Sequence, residues 1–302
     1  MNNNLIVERL SIVKQLFRMA ASQADQPEPT CYFAILTLHD CVEMFIKLVG
    51  EKMNVDRFSL MEYWKAIPQL TMEQQIDSLN KVRKSIKHHG LLPAKKEVAG
   101  KAIIVEQFLI ENVKIQFSIE WDDISLVTLV RSANARKHLI EAEQLCKKGD
   151  YKESIYNTAY AFHELLNEYE ENKKPEFKPS PFNFGKNMRW HKSHYMNMLD
   201  HNMKQFVDDV STSIDSICDA IKILSFGIDY KKYAKFQLFT PHVIKKSDGA
   251  FYAEEWHNKK WSQQSAQFCI EFVVESALKL QEFDFDADEV TARREPKKPI
   301  KK

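Results

Sequence analysis

"MEQQIDSLNKVRKSIKHHG", Met72 to Gly90, carries apolar residues at Met72, Ile76, Leu79, Val82 and Ile86, the spacing that lines one side of an α-helix. Gly90 and then Pro93 supply a stop, because glycine accepts the left-handed turn that ends a helix and proline cannot continue one. The segment is predicted as a helix ending at Gly90. At about 100° per residue, Arg83 falls near the middle of the apolar stripe, which turns a guanidinium toward the packed side. Such a group needs a carboxylate, an anion or another subunit beside it. Asp40 and Glu43 on the preceding apolar segment are candidates.

Working outward, the chain has only 7 glycines in 302 residues, well below the usual share, and sheets and tight turns depend on glycine. A mostly helical protein is predicted. Leu5 to about Ala24 is one helix, closed by "DQPEPT". Tyr32 to about Val49 is a second, apolar over so wide an arc that it should be central. A short helix covers Leu60 to Ala66 and another starts near Ala94, after which "VKIQFSIEW" reads as a strand or a helix end. In "EWDDISLVTLV", Asp122 and Asp123 are predicted to cap a new helix, which places a domain boundary near residue 120.

Beyond it, Tyr151 to about Tyr169 is helical and "ENKKPEFKPSPFNFGKN" is a loop. From Leu199 to Leu224, apolar residues recur every three or four positions, predicting a long helix that ends at Gly227. "HVIKKSDGAFYAEEW" reads as a hairpin around Asp248-Gly249, and Trp256 to about Glu282 as a closing helix. The expected fold class is all-α: two helical domains, 1–120 and 121–285, a small β-hairpin near residues 242–255, and a charged, disordered tail over 286–302. The halves echo each other in having a periodic helix that stops at glycine. With Gly90 laid over Gly227, Arg83 falls on Ala220 and His88 on Ser225, so only the first half carries the charged residues.

Composition bounds the function. The 43 basic and 42 acidic side chains nearly cancel, so any grip on nucleic acid must come from a local patch. Five widely spaced cysteines without a C-x-x-C pair argue against a disulfide framework and a zinc site. "FHELL" lacks the second histidine of a zinc-protease helix, and "HDCVE" has no third ligand at useful spacing. Neither a leader nor a membrane-spanning run is apparent, and a cytoplasmic protein without a membrane partner is expected. Trp190, Tyr195, Trp256 and Trp261, near Arg189, His191 and His194, are expected as core or loop anchors more than as base-stacking residues.

The end of the 72–90 helix gathers Arg83, Lys84, Lys87, His88 and His89. On one straight helix His88 lies about 140° round from Arg83 and His89 about 120° the other way. Either the helix end distorts, or two copies of the helix meet and share a groove. Such a cluster suits RNA cleavage without a metal: one histidine takes the ribose 2′-OH proton, a second protonates the leaving 5′-oxygen, and arginine stabilises the phosphorane charge. Lys84 and Lys87 would hold the RNA backbone. The same residues also suit the last turn of a solvated helix, where cations offset the helix dipole.

"VRKSIKHHG" preceded by "LHDCVEMFIKLV" resembles the HEPN superfamily (higher eukaryotes and prokaryotes nucleotide-binding), whose ribonuclease members carry arginine, four to six residues, then histidine. Arg83 to His88 meets the four-residue spacing and Arg83 to His89 the five. The resemblance implies HEPN-like helical bundles in tandem, the second degenerate, and homodimers that bring two motif helices together. It further implies metal-independent endoribonuclease activity without a cofactor, and a role as a toxin or antiphage defence effector held in check by an antitoxin or regulatory protein. Arg83 and His88 carry over as the catalytic pair, with His89 auxiliary and Glu43 as the orienting acidic residue. Many active members have Asn, Asp or His directly after the arginine, where this chain has Lys84. A non-catalytic scaffold that binds nucleotide, nucleic acid or protein is the other expectation. Arg131 and His138 also fit the bare pattern but are expected on a solvated helix face.

Overall fold

The computed structural model describes residues 3–175, 180–184, 200–246, 251–254, 260–282, 284–287 and Val290. The protein is mostly helical, and it divides into two compact units, Met1–Leu129 and Val130–Lys302.

In the first unit, α1 (Asn3–Ala24), α2 (Ala34–Met53), the short α3 (Glu62–Ala66), α4 (Glu73–His89) and α5 (Lys95–Phe117) surround one apolar core. The wide apolar arc of α2 makes it the central helix: Ile35, Leu38, Val42, Phe45, Ile46 and Val49 are all fully buried, and α1, α4 and α5 pack against it. Phe45 stands edge-on to Phe108 and Phe117 of α5, with ring centroids 5.6 and 6.2 Å apart, the geometry aromatic pairs favour. Near its end α2 passes Tyr63 and the Val55 carbonyl so closely that a Cβ at Gly50 would lie 2.6 Å from each. Only glycine fits there.

"VKIQFSIEW" resolves as the end of α5, which runs to Phe117 and stops at Ser118 with φ 57°. The segment that follows corrects the expected helix start. Asp122 and Asp123 lie in a 3₁₀ turn, Trp121–Asp123, rather than at a helix cap. The reason is tertiary: Lys14 Nζ donates to the carbonyls of Trp121 and Ile124 at 2.9 Å each, and Trp121 packs edge-on against Phe17 with centroids 6.1 Å apart. These contacts hold the stretch in the first unit, which extends to Leu129, past the sequence boundary near 120. The next helix is capped instead by Ser132, whose Oγ accepts from Ala135 N at 3.2 Å.

The second unit contains α6 (Ala133–Lys147), α7 (Tyr151–Asn172), α8 (His201–Ser225), α9 (Tyr230–Phe239), the strands β1 (Val243–Lys245) and β2 (Phe251–Ala253), and α10 (Gln263–Glu282). Phe162, Phe236 and Phe272 meet at centroid distances of 4.7 to 5.3 Å and join α7, α9 and α10. The strands pair antiparallel with Val243 opposite Ala253 and Lys245 opposite Phe251. The Asp248-Gly249 connection lies outside the described residues. α10 begins at Gln263, later than the expected Trp256, and the residues from Lys260 to Ser262 are non-helical because Ser262 Oγ receives Ser265 N at 3.2 Å and so caps the helix. Of the expected tail over 286–302, all but Asp286, Ala287 and Val290 lies outside the described residues.

Candidate functional site

Helix α4 buries Ile76, Leu79 and Asn80 and half-buries Val82, Arg83 and Ile86. Arg83, one turn beyond Leu79, therefore faces α2, as its phase in the stripe requires. The helix is regular through His89. Gly90 then adopts φ 65° and donates to the Ile86 carbonyl at 3.1 Å, while Leu91 N reaches the Ser85 carbonyl at 3.2 Å, the paired closure of a glycine-ended helix. No distortion draws His88 toward Arg83, so the two remain about 140° apart on one helix. Lys84, Lys87, His88 and His89 are all exposed, and Leu91 and Leu92 beside them are exposed as well.

On α2, His39 occupies a core-facing position one turn after Ile35 and is 3% exposed. Its Nδ1 lies 3.8 Å from Asp40 Oδ1 and 3.8 Å from Glu43 Oε2, beyond hydrogen-bond reach; among the described residues no partner meets full hydrogen-bond geometry, although the Asn80 side chain acts on the ring. Burial lowers the His39 pKa below its ordinary value, and the nearby Arg83 charge lowers it further; Glu43, Asp40 and Asn80 oppose them. Burial and the Arg83 charge both disfavour the imidazolium form. Glu43 is held below the usual carboxylate range chiefly by Lys47, whose Nζ is 2.7 Å away, with smaller contributions from His39 and Arg83. Among the described residues no ion pair within 4.0 Å joins Arg83 to a carboxylate; Glu43 gives its short contact to Lys47 and senses Arg83 at longer range. The structure thus brings together Arg83, Glu43, Asp40, His39 and Asn80, and leaves His88, His89, Lys84 and Lys87 on the exposed side and end of α4.

His39, Asp40 and Glu43 have donor atoms within 4.8 Å of one another, close enough in principle for a cation. The positive charges of Arg83 and Lys47 beside them weigh against a divalent ion. His39 was visible in sequence only as a polar exception on an apolar helix; its four-residue spacing to Glu43, and that of three between Asn80 and Arg83, are the signals that link these residues to the site.

The depressed pKa of His39 carries a sign for stability. Above about pH 6.5 the imidazole is neutral both folded and unfolded. Below it the unfolded chain takes up the proton more readily, so stability is lost as pH falls toward the lower folded value. The urea midpoint of the first unit should drop between pH 7.5 and 5.5, and His39→Gln should flatten that slope. Parallel slopes for the two proteins would contradict the assignment.

Arg131 lies ahead of α6, on whose expected face it was placed, and its backbone N–H donates to Gln281 Oε1 at 2.9 Å. His138 is half-buried rather than solvated: Nδ1 is 3.2 Å from Asn157 Oδ1, and the ring packs on Tyr160 and Phe251. Trp261 packs edge-on to Tyr156; Arg189, Trp190, His191, His194, Tyr195 and Trp256 lie outside the described residues. Among those described, no helix is long and apolar enough to cross a membrane. Comparison with protein-family models, curated proteins and solved structures finds no match.

Proposed function

We propose that the protein is a HEPN-type, metal-independent endoribonuclease whose site forms where the α4 helices of two copies meet. One observation carries the reading: Arg83 is half-buried against the acidic side chains of α2, whereas His88 and His89 project from the exposed end of the same regular helix. A single copy holds the cation and presents the proton carrier, and a second copy completes the pair. The exposed Leu91 and Leu92 give that end apolar surface for such a contact.

In this mechanism His88 takes the proton from a ribose 2′-OH, the oxygen attacks the adjacent phosphorus, and the 5′-oxygen leaves with a proton from the second copy's histidine. His89 assists. Arg83 stabilises the charge on the phosphorane, Glu43 orients the α2 side of the site, and Lys84 and Lys87 position the RNA backbone. The products are a 2′,3′-cyclic phosphate and a 5′-hydroxyl, and no cofactor enters. A cytoplasmic toxin or antiphage effector, restrained by an antitoxin or regulatory protein, is the setting this activity fits.

Purified protein is expected to cut single-stranded RNA in EDTA, and His88→Ala to slow the cut by about 100-fold or more, the usual cost of losing an acid–base group. Lys84, placed directly after Arg83, favours a second reading, a non-catalytic HEPN scaffold that binds nucleotide, nucleic acid or a protein partner. That reading wins if the dimeric protein binds RNA without cutting it and His88→Ala weakens the binding.

A further inference from the structure

We propose that α8 pairs antiparallel with the α8 of a second copy through an apolar stripe that lies exposed among the described residues. A helix on a protein surface ordinarily turns its apolar stripe inward. Counted at about 100° per residue, Met203, Phe206, Val210, Ile217, Ile221 and Leu224 fall with Ile214 in an arc of about 80°, yet all are 39% to 63% exposed. The side turned inward is mostly polar, although Ile223 near the C-terminal end is buried and Val207 and Cys218 are half-buried. Ser211 is buried and Lys204, Asp215 and Lys222 are half-buried, all within an arc of about 40° on the other side of the helix. Lys222 Nζ is fixed to Glu170 at 2.6 Å. The helix is attached through polar side chains and Ile223, and its apolar stripe stays exposed.

The amount and the spacing of that surface point to a second copy. Seven large apolar residues, each 39% to 63% exposed, form one contiguous stripe, the kind of exposed apolar patch that marks an interaction site. Its spacing is a mirror image about the point between Ser213 and Ile214. Met203 and Leu224 are equidistant from that point, as are Phe206 and Ile221, and Val210 and Ile217. An antiparallel copy therefore meets the stripe in register, each residue opposite its mirror partner and Ile214 beside the two-fold axis, which is the self-complementarity of an isologous contact. The antiparallel arrangement also opposes the two helix dipoles. No charged side chain interrupts the arc.

This contact is independent of Arg83 and its proposed chemistry, which the RNA assay reads separately. The full chain should self-associate at about 10 μM, and Phe206→Glu/Ile217→Glu should weaken that association with helicity unchanged, while any contact between α4 helices persists in the variant. Direction is tested in a Cys146→Ser/Cys218→Ser background, which removes the two cysteines that are not fully buried. With a short bismaleimide, Ile214→Cys should crosslink to itself. Met203→Cys should not, because an antiparallel pair holds its two copies about 31 Å apart. Each crosslinking variant keeps six of the seven stripe residues, so these variants decide the question even if the double glutamate variant fails to fold. Absence of the Ile214→Cys crosslink, self-crosslinking of Met203→Cys, or association that the double glutamate variant leaves unchanged overturns the proposal.

Discussion

Arg83→Ala is expected to lower EDTA-tolerant RNA cleavage by about 100- to 1,000-fold, the range for removing a group that stabilises charge developing in the transition state. Arg83→Lys should recover little, because an ammonium is a compact point charge and cannot reproduce the planar fork that grips two phosphate oxygens. The same substitution has a second readout that needs no substrate. Arg83 is one of the influences that hold the His39 pKa down and the Glu43 pKa below the carboxylate range. Without it both groups should titrate higher, and the shifts are measurable by NMR on the folded protein. Stability should change little, since Arg83 is only half-buried and makes no short ion pair among the described residues. Cleavage retained in Arg83→Ala, with the His39 shift present, would show that the guanidinium lies where described and does not act on RNA.

Phe45→Ala is expected to cost about 3–5 kcal/mol in the first unit, the range for emptying a buried aromatic site. Phe45 is fully buried at the middle of the central helix, and its ring contacts Phe108 and Phe117 edge-on. Truncation removes both aromatic contacts and leaves a void between α2 and α5 that a close-packed core refills only in part. With a urea dependence of about 1–3 kcal/mol per molar, the transition of Met1–Leu129 should move down by about 1–5 M. The transition of Val130–Lys302 should stay in place, because its core is built from other residues. A loss below about 1 kcal/mol would mean that Phe45 is not the centre of that core.

The helices could be read from the chain because their apolar residues repeat with the helical period and their ends carry specific residues. The stop of α4 at Gly90 needs only a residue that tolerates φ 65°, and the centrality of α2 follows from an apolar arc too wide for a surface helix. Where the reading departed, a contact that the apolar period does not encode intervened, once distant and once local. Asp122 and Asp123 resemble a helix cap, but Lys14, more than a hundred residues earlier, holds the neighbouring carbonyls. The α10 start shifted because Ser262, with an oxygen suited to capping, outweighs the helical pattern before it.

The site divides along the same line. By itself the sequence determined that the protein is mostly helical, that Arg83 lies on the apolar side of its helix, and that Arg83 and His88 cannot meet on one straight helix, since each follows from residue spacing and about 100° of turn per residue. Only the tertiary structure decided which side chains surround Arg83: His39 is buried on the core side of α2 within reach of the Arg83 charge, and Glu43 gave its short contact to Lys47. It also decided that α8 lies with its apolar stripe outward. Periodicity marks which face of a helix is apolar, but whether that face turns inward depends on what the rest of the chain places beside it.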